Sequence, residues 1–178
     1  MADSGAYAHT LPGARIAHPG TVEVLVDVLI TRVDPRAPDV RRLLEAHLAF
    51  ARAVTPPGHV HALDLAGLEH PSVTVYGARQ DGRVRGIGAL RRLDDEHAEL
   101  KSMHTSDDAR GQGVGTAMAR FLLDEARAAG LRRVSLETGT DDAFTPARSM
   151  YTSLGFVPCP PFGDYVANEH SICMTIQL

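Results

Sequence analysis

The chain has 178 residues, of which 44% are hydrophobic and 22% charged, as expected for one globular domain without wholesale disorder. Its net charge of −4 and the absence of a long basic run argue against nucleic acid as a partner, since phosphate binding needs clustered Lys and Arg. No segment reads as a signal peptide or as the roughly 20 apolar residues that span a bilayer, so we expect a cytoplasmic protein with no membrane partner.

The first half of the chain predicts a leader, a strand and a helix. Residues 1–22 contain several Gly and Pro and few large apolar side chains, which indicates a flexible leader before a domain at 23–178. Residues 24–33 are rich in Val, Leu and Ile and predict the first strand. Apolar residues recur at helical spacing over 40–51, and Asp39 is placed to cap that helix.

The middle of the chain predicts a meander of three strands. Residues 73–78 and 84–90 form a hairpin around the turn residues 80–82, and 99–105 supplies the third strand. Residues 59–68 are less regular and could form either a short helix or a covering loop.

The last third alternates helices with strands. The apolar period over 114–126 predicts a helix that Gly130 stops. A strand at 134–138, a helix at 145–154 and a closing strand at 171–178 follow. The complete order, β, α, a β meander, α, β, α, β, indicates a mixed α/β sheet.

A glycine-rich turn, Arg-Gly-Gln-Gly-Val-Gly at 110–115, opens the helix at 114. A helix N-terminus offers unpaired N–H groups at the positive end of the helix dipole, so the turn is a candidate anion site that Arg110 and Thr116 can extend. The alternative is a tight turn that needs small residues. A nucleoside-triphosphate loop is excluded because no lysine follows the last glycine, and a dinucleotide fingerprint because residue 116 is not glycine.

A second motif follows at residues 147–156, Ala-Arg-Ser-Met-Tyr-Thr-Ser-Leu-Gly-Phe. With the glycine turn, it resembles the Ala-x-x-Leu-Tyr-x-x-x-Gly-Phe element of the GCN5-related N-acetyltransferase (GNAT) family. The resemblance implies an α/β fold with a GNAT-like mixed, mostly antiparallel central sheet flanked by helices, in a single domain. Phe144 departs from the pattern, because the family often carries there an Asn that holds the pantetheine arm; Thr138 or Thr140 could replace it.

The resemblance also implies acetyl-CoA as co-substrate, no metal, and a set of cofactor-binding residues. The end of the third meander strand would offer its backbone to the pantetheine through Met103, His104 and Thr105. The glycine turn would hold the diphosphate through Arg110, Gly111, Gln112, Gly113, Val114, Gly115 and Thr116. Arg148 could meet a coenzyme phosphate, or could be a solvated arginine on a helix face.

Two catalytic side chains are predicted. Tyr151 occupies the family's position for the acid that protonates the leaving thiolate, although a Tyr packing its helix on the sheet would look the same. Glu99 is the candidate base, because strand alternation places Glu99, Lys101 and Met103 on one face and His104 on the other. If that face does not look into a cleft, Glu99 and Lys101 would form a surface ion pair.

The acceptor is expected to be a small-molecule amine, bound by Lys101, His61 and the aromatic residues Phe162 and Tyr165. Another acyl group, a hydroxyl acceptor, or a non-catalytic module that senses acyl-CoA or binds a partner remain alternatives. Dimers are common in the family, so a homodimer is also open.

Two further chemistries are weaker interpretations of the sequence. His59, His61, Asp64 and His70 could be metal ligands, but their spacing matches no metal signature. Cys159 could carry an acyl group between donor and acceptor, but free cysteines are more often small buried side chains. We therefore predict direct transfer without a metal.

Overall fold

The computed structural model describes residues 28–178, so the predicted leader at 1–22 and the start of the predicted first strand lie outside the described residues. The strands are β1 Leu29–Arg32, β2 Val73–Gln80, β3 Arg83–Arg92, β4 His97–Thr105, β5 Arg133–Gly139, β6 Val157–Cys159 and β7 Ser171–Gln177. The helices are α1 Pro38–Val54, α2 Leu65–Leu68, α3 Val114–Ala128 and α4 Thr145–Ser153.

These strands form one seven-stranded sheet in the order β1-β2-β3-β4-β5-β7-β6. Neighbouring strands pair antiparallel except β4 and β5, which pair parallel. The predicted mixed, mostly antiparallel sheet flanked by helices is confirmed. Strand β6 was not predicted from the sequence, because it has three residues and contains Pro158, which cannot donate to a ladder.

Two apolar clusters cover the two faces of the sheet. On one face α3 and α4 pack on the sheet around Met118, Leu122 and Phe156. On the other face α1 contributes Val40 and Leu44 to a cluster with β2 and β3. The sheet is therefore covered on both sides, and the functional residues must lie where this cover is incomplete.

Helix α1 and the segment between α1 and β2 bear on two sequence expectations. Asp39 lies in the first turn of α1 rather than at the N-cap, which is Ala37, and its Oδ2 accepts a hydrogen bond from Arg79 of β2 at 2.8 Å. The irregular segment forms a loop followed by the single turn of α2. Asp64 caps that turn by accepting a hydrogen bond from the Gly67 N–H at 2.9 Å.

A β-bulge interrupts β4 at Ser102. This residue has φ 52°, in the left-handed region that non-glycine residues seldom adopt, and the β3–β4 register shifts between Ile87 and Ala89. A bulge inserts one extra residue into a strand, so the alternation of side chains changes beyond it. The pairing of β4 with β5 also stops here, with Leu100 opposite Leu136 as its last pair.

The bulge overturns one expectation about faces. Met103 lies on the α3 side, since its sulfur would be 2.7 Å from a Cβ on Gly88, beside atoms of α3. His104 lies on the α1 side, where its ring centroid is 5.6 Å from that of His47. Lys101 points to the α1 side as well, toward the loop after α1. The predicted grouping of Met103 with Lys101, and of His104 opposite, is wrong because regular alternation was assumed.

Candidate active site

A cavity of about 720 Å³ opens where β4 and β5 separate. Its wall combines the end of β4, the glycine turn and start of α3, the end of β5, the start of α4 and one side of α1. The cavity therefore reaches from the helix N-terminus that was predicted to bind an anion to Tyr151, one of the two predicted catalytic residues, whereas Glu99, the other, does not line it.

The glycine turn has the conformation that an anion site needs. Gly111 and Gly113 have φ 74° and 84°, which glycine adopts without strain. Gly113 is the N-cap of α3 and supplies no side-chain cap, and the first turn contains no acidic residue. The leading N–H groups of α3 are thus available to a negatively charged ligand at the positive end of the helix dipole.

Most of the predicted cofactor residues line this cavity. They are Met103, His104, Thr105, Arg110, Gly111, Gly113, Val114, Gly115 and Thr116. Gln112 and Arg148 do not. The Gln112 amide donates to the Asp108 carbonyl at 2.7 Å. The Arg148 guanidinium donates to the carbonyls of Gly139 and Asp141 at 2.7 and 2.9 Å, so it holds the β5–α4 connection together.

Tyr151 lies in α4, lines the cavity and is 5% exposed. Its ring packs edge-on against Phe156 with the centroids 5.6 Å apart. Burial raises the pKa of Tyr151, so the phenol is protonated at neutral pH. The side chain therefore packs in the core while lining the cavity, and its role as the acid stays a prediction.

Glu99 lies in a buried polar network. Its side chain is 1% exposed, and its Oε1 accepts a hydrogen bond from the Tyr165 hydroxyl at 2.5 Å. The Lys101 ammonium, 3.4 Å from the same oxygen, donates to the Tyr165 hydroxyl at 2.6 Å and to the His61 carbonyl at 2.9 Å. Glu99 and Lys101 therefore form a buried ion pair, not the surface pair considered from the sequence.

A smaller cavity of about 150 Å³ adjoins this network. All four residues predicted to bind the acceptor line it, namely Lys101, His61, Phe162 and Tyr165. Lys101 and His61 also line the larger cavity. The structure thus brings together side chains from three distant parts of the chain. Lys101 and His61 line both cavities and so lie between them.

Glu137 is a candidate that sequence reasoning missed. It lies on β5, lines the large cavity and is only partly exposed. Ser135, two residues earlier, pairs with Glu99, so Glu137 is on the same face of the sheet as the Glu99 network. Burial raises the pKa of Glu137, although a hydrogen bond from Ser171 opposes the shift. The available signal was that Glu137 is the single carboxylate of this strand.

Histidines surround the acceptor side of the large cavity. His59 and His170 contact each other edge to face at 4.7 Å, and His47 lies on α1 against His104. Burial, assisted by the positive charge of Lys101, lowers the pKa of His47 to about 4, so this ring is neutral at physiological pH. No role was predicted for His47, because a histidine on an apolar helix face has no distinguishing local pattern.

The metal interpretation gains no support from the geometry. Within residues 28–178, no group of three or more His, Cys, Asp or Glu side chains is arranged to hold a metal ion. Asp64 is used as a helix cap, and His70 is hydrogen bonded to Ser72 at 2.8 Å. In the same part of the chain, no helix has the length and apolar character needed to cross a membrane.

Comparison with known proteins agrees with the fold. The model of the acetyltransferase (GNAT) family matches residues 40–156. The uncharacterized N-acetyltransferase YsnE of Bacillus subtilis is 40% identical over 136 residues, which cover 76% of this chain and 90% of YsnE.

Two solved structures share the fold. A putative acyl-CoA N-acyltransferase from Klebsiella pneumoniae superimposes with a TM-score of 0.73 and 25% identity, covering 85% of this chain and 97% of that one. A GNAT family acetyltransferase from Elizabethkingia anophelis, with acetyl-CoA bound, has a TM-score of 0.65 and 17% identity, covering 86% and 99%. The resemblance seen in the two sequence motifs is confirmed, and the chain belongs to the acetyltransferase (GNAT) family.

Proposed function

We propose that this enzyme transfers an acetyl group from acetyl-CoA to the amine of a small polar acceptor by direct attack. The observation that carries the proposal is the single cavity that connects the uncapped N-terminus of α3 to Tyr151 and Glu137. Acetyl-CoA supplies a thioester, an acyl group already activated for attack by an amine. The similarly folded Elizabethkingia protein has acetyl-CoA bound, which supports this choice of donor.

The donor site fits a diphosphate followed by a slender arm. The left-handed glycines 111 and 113 leave the backbone free of side chains, and the first N–H groups of α3 can donate to phosphate oxygens. From this turn the cavity continues along Met103 to Thr105, where β4 no longer pairs with β5. The free backbone groups of this segment can hydrogen bond the arm, as the sequence resemblance implied.

Tyr151 is proposed as the acid. A thiolate that leaves the acyl group must gain a proton, and the Tyr151 hydroxyl is protonated at neutral pH because burial raises its pKa. We expect Tyr151→Phe to keep the edge-on packing against Phe156 and to lower turnover without weakening coenzyme A binding. Calorimetry with coenzyme A and a steady-state assay separate these effects. Equal losses in both, or a loss of folding, would assign Tyr151 to packing.

The base is proposed to be a carboxylate on the acceptor face, because an ammonium must lose a proton before its nitrogen can attack. Glu137 has direct access to the large cavity and a raised pKa. Glu99, the base predicted from the sequence, is 1% exposed, is hydrogen bonded to the Tyr165 hydroxyl and lines the smaller cavity instead of the large one. We therefore place Glu137 first and keep Glu99 as the alternative.

The pH dependence of kcat/KM distinguishes the two carboxylates. The base works in its ionised form, so activity should fall as pH decreases through the pKa of Glu137, which lies above the ordinary glutamate value. Glu137→Gln should remove this acidic limb together with most of the activity. If Glu99→Gln does so instead, while remaining folded, the sequence-based assignment is correct.

The residues at the acceptor side of the large cavity favour a small polar amine as the acceptor. Glu137, Lys101 and the histidines His61, His59 and His170 contribute charged or polar groups to the large cavity. Direct attack is favoured over an acyl-cysteine, because neither cysteine of the described chain lines either cavity. A homodimer stays a prediction, to be checked by sedimentation.

Thiol release from acetyl-CoA, followed against a panel of amines and amino acids, tests the proposal. We expect turnover with a subset of small amines. Gly113→Val should abolish turnover and coenzyme A binding, because valine is strained at φ 84°. Coenzyme A binding with no turnover on any acceptor would favour the sensor alternative, and the absence of both would refute the donor assignment.

A further inference from the structure

Cys159 and Cys173 are direct partners in the antiparallel pair of β6 with β7. Directly opposed residues in such a pair have Cα atoms about 4.5 or about 5.5 Å apart and side chains on the same face. Both separations lie within the range of roughly 4.4–6.8 Å that a disulfide requires. Although the two thiols are free in this structure, the backbone already holds them at a spacing suited to a bond.

The pair closes the base of a loop on the acceptor side. Residues 160–170 connect β6 to β7 and include Phe162 and Tyr165, which line the smaller cavity. Cys173 also opposes Glu137 across the β5–β7 pair, so the row Cys159, Cys173, Glu137 crosses three adjacent strands. A bond between the sulfurs would therefore join the two ends of the acceptor loop, one strand away from the proposed base.

The two thiols differ in accessibility and surroundings. Cys159 is partly exposed on β6, which among residues 28–178 pairs only with β7 and lies at the end of the strand order, whereas Cys173 is 7% exposed. Burial raises the pKa of Cys159, and the positive charge of Arg133 opposes this shift. Burial and the neighbouring acidic groups, among them Cys159 and Glu137, raise the pKa of Cys173 to about 11. An external reagent should therefore meet Cys159 first, because its side chain is the more exposed of the two.

We propose that Cys159 and Cys173 form a thiol oxidation site, which reacts with low-molecular-weight disulfides and closes into a reversible intramolecular disulfide. The Cys159 thiolate attacks one sulfur of the reagent RSSR, which forms a mixed disulfide at Cys159 and releases one thiol RSH after protonation. The Cys173 sulfur, having lost its proton to solvent, attacks Cys159 Sγ and releases the second RSH. The two cysteines are oxidised and the reagent is reduced to two thiols.

The test incubates the full chain with glutathione disulfide and follows its intact mass. The wild type should lose two hydrogen atoms without a stable glutathione adduct, and dithiothreitol should restore the original mass. Cys173→Ser should stop at one glutathionyl group, located on Cys159 by peptide mapping. Cys159→Ser should react at least about tenfold more slowly, because Cys173 is shielded. The double serine variant is the unreactive control.

A second measurement needs no variant and so does not depend on their folding. Limited alkylation of the wild type should label Cys159 before Cys173, and oxidation should raise the melting temperature in a way that reductant reverses. No reaction, a mixed disulfide that persists in the wild type, an intermolecular dimer, or faster labelling of Cys173 would each overturn the proposal. Because these readouts do not involve acyl transfer, they are independent of the proposed enzymatic function.

Discussion

Truncation of Glu99 should destabilise the protein strongly, although the residue lies beside a cavity. Glu99→Ala removes the partner of the Lys101 ammonium and the acceptor of the Tyr165 hydroxyl. Glu99 and Lys101 are 1% and 7% exposed, so water cannot easily replace the lost contacts. Breaking a buried ion pair from one side costs about 3–5 kcal/mol of unfolding free energy.

Two hydrogen bonds of Lys101 remain in Glu99→Ala, so the loss of unfolding free energy should lie near the lower end of this range. Lys101 keeps its hydrogen bonds to the His61 carbonyl and the Tyr165 hydroxyl, so we expect a loss of about 3 kcal/mol. For a chain of this size that corresponds to a decrease of roughly 6–12 °C in melting temperature. Replacing both charged residues, Glu99→Met with Lys101→Met, should recover at least half of the loss, because no unpaired charge stays buried.

Urea unfolding of the single and double variants measures these free energies. Glu96→Ala is the matched control, because Glu96 pairs with Arg132 at the surface, where its side chain is 64% exposed, and its loss should cost less than about 1 kcal/mol. A cost for Glu99→Ala as small as that of the control would refute the reasoning. So would a double variant less stable than Glu99→Ala.

Three other residues give independent predictions. Gly139→Ala would place a Cβ 2.3 Å from the Phe144 ring, so thermal unfolding should show a loss of about 1–3 kcal/mol that is smaller in a Phe144→Leu background; an unchanged melting temperature contradicts this. Tyr76→Phe removes a 2.9 Å hydrogen bond to Glu125 and should cost about 1 kcal/mol in urea unfolding, and a stabilised variant would show that the bond is unimportant. The folded state lowers the pKa of His47 from 6.5 to about 4, so the unfolded state binds the proton more readily. The free energy of unfolding should therefore decrease as the pH is lowered from about 6.5 to about 4. His47→Gln should flatten that part of the melting-temperature profile, and an unaltered slope would argue against the shift.

The helix order and the donor turn could be predicted because their signals are local. The apolar period of α3 and the glycines before it lie within one short segment, and each determines the conformation of its own backbone. The second motif, which contains Tyr151, is equally compact. These features also carried the family resemblance, and the family model matches residues 40–156.

The acceptor side could be predicted only in part, because it depends on contacts between distant segments. The sequence singled out Lys101, His61 and Tyr165, but not that one ammonium bonds to both of the loops that contain the other two. Nor did it indicate that Glu99 would be buried beneath Tyr165 while Glu137 faces the cavity. These outcomes depend on how two loops fold over the sheet, which no short pattern encodes.

The bulge in β4 was invisible for a related reason. Serine has no particular preference for a positive φ, so the conformation of Ser102 is imposed by the pairing of β4 with its neighbours. Strand periodicity assumes that no residue is inserted, and one inserted residue was enough to exchange the expected positions of Met103 and His104.

Ser102 is the supernumerary residue of its strand, and this has an evolutionary consequence. Without it, Met103 would follow Lys101 directly, and both Met103 and His104 would keep the faces that they now occupy. A relative lacking this residue could therefore retain both apolar clusters unchanged. It would lose the local bend where β4 and β5 part, together with a buried hydroxyl that has no hydrogen-bond partner among the described residues. The extra residue therefore changes the local path of β4 without changing which face of the sheet Met103 and His104 occupy.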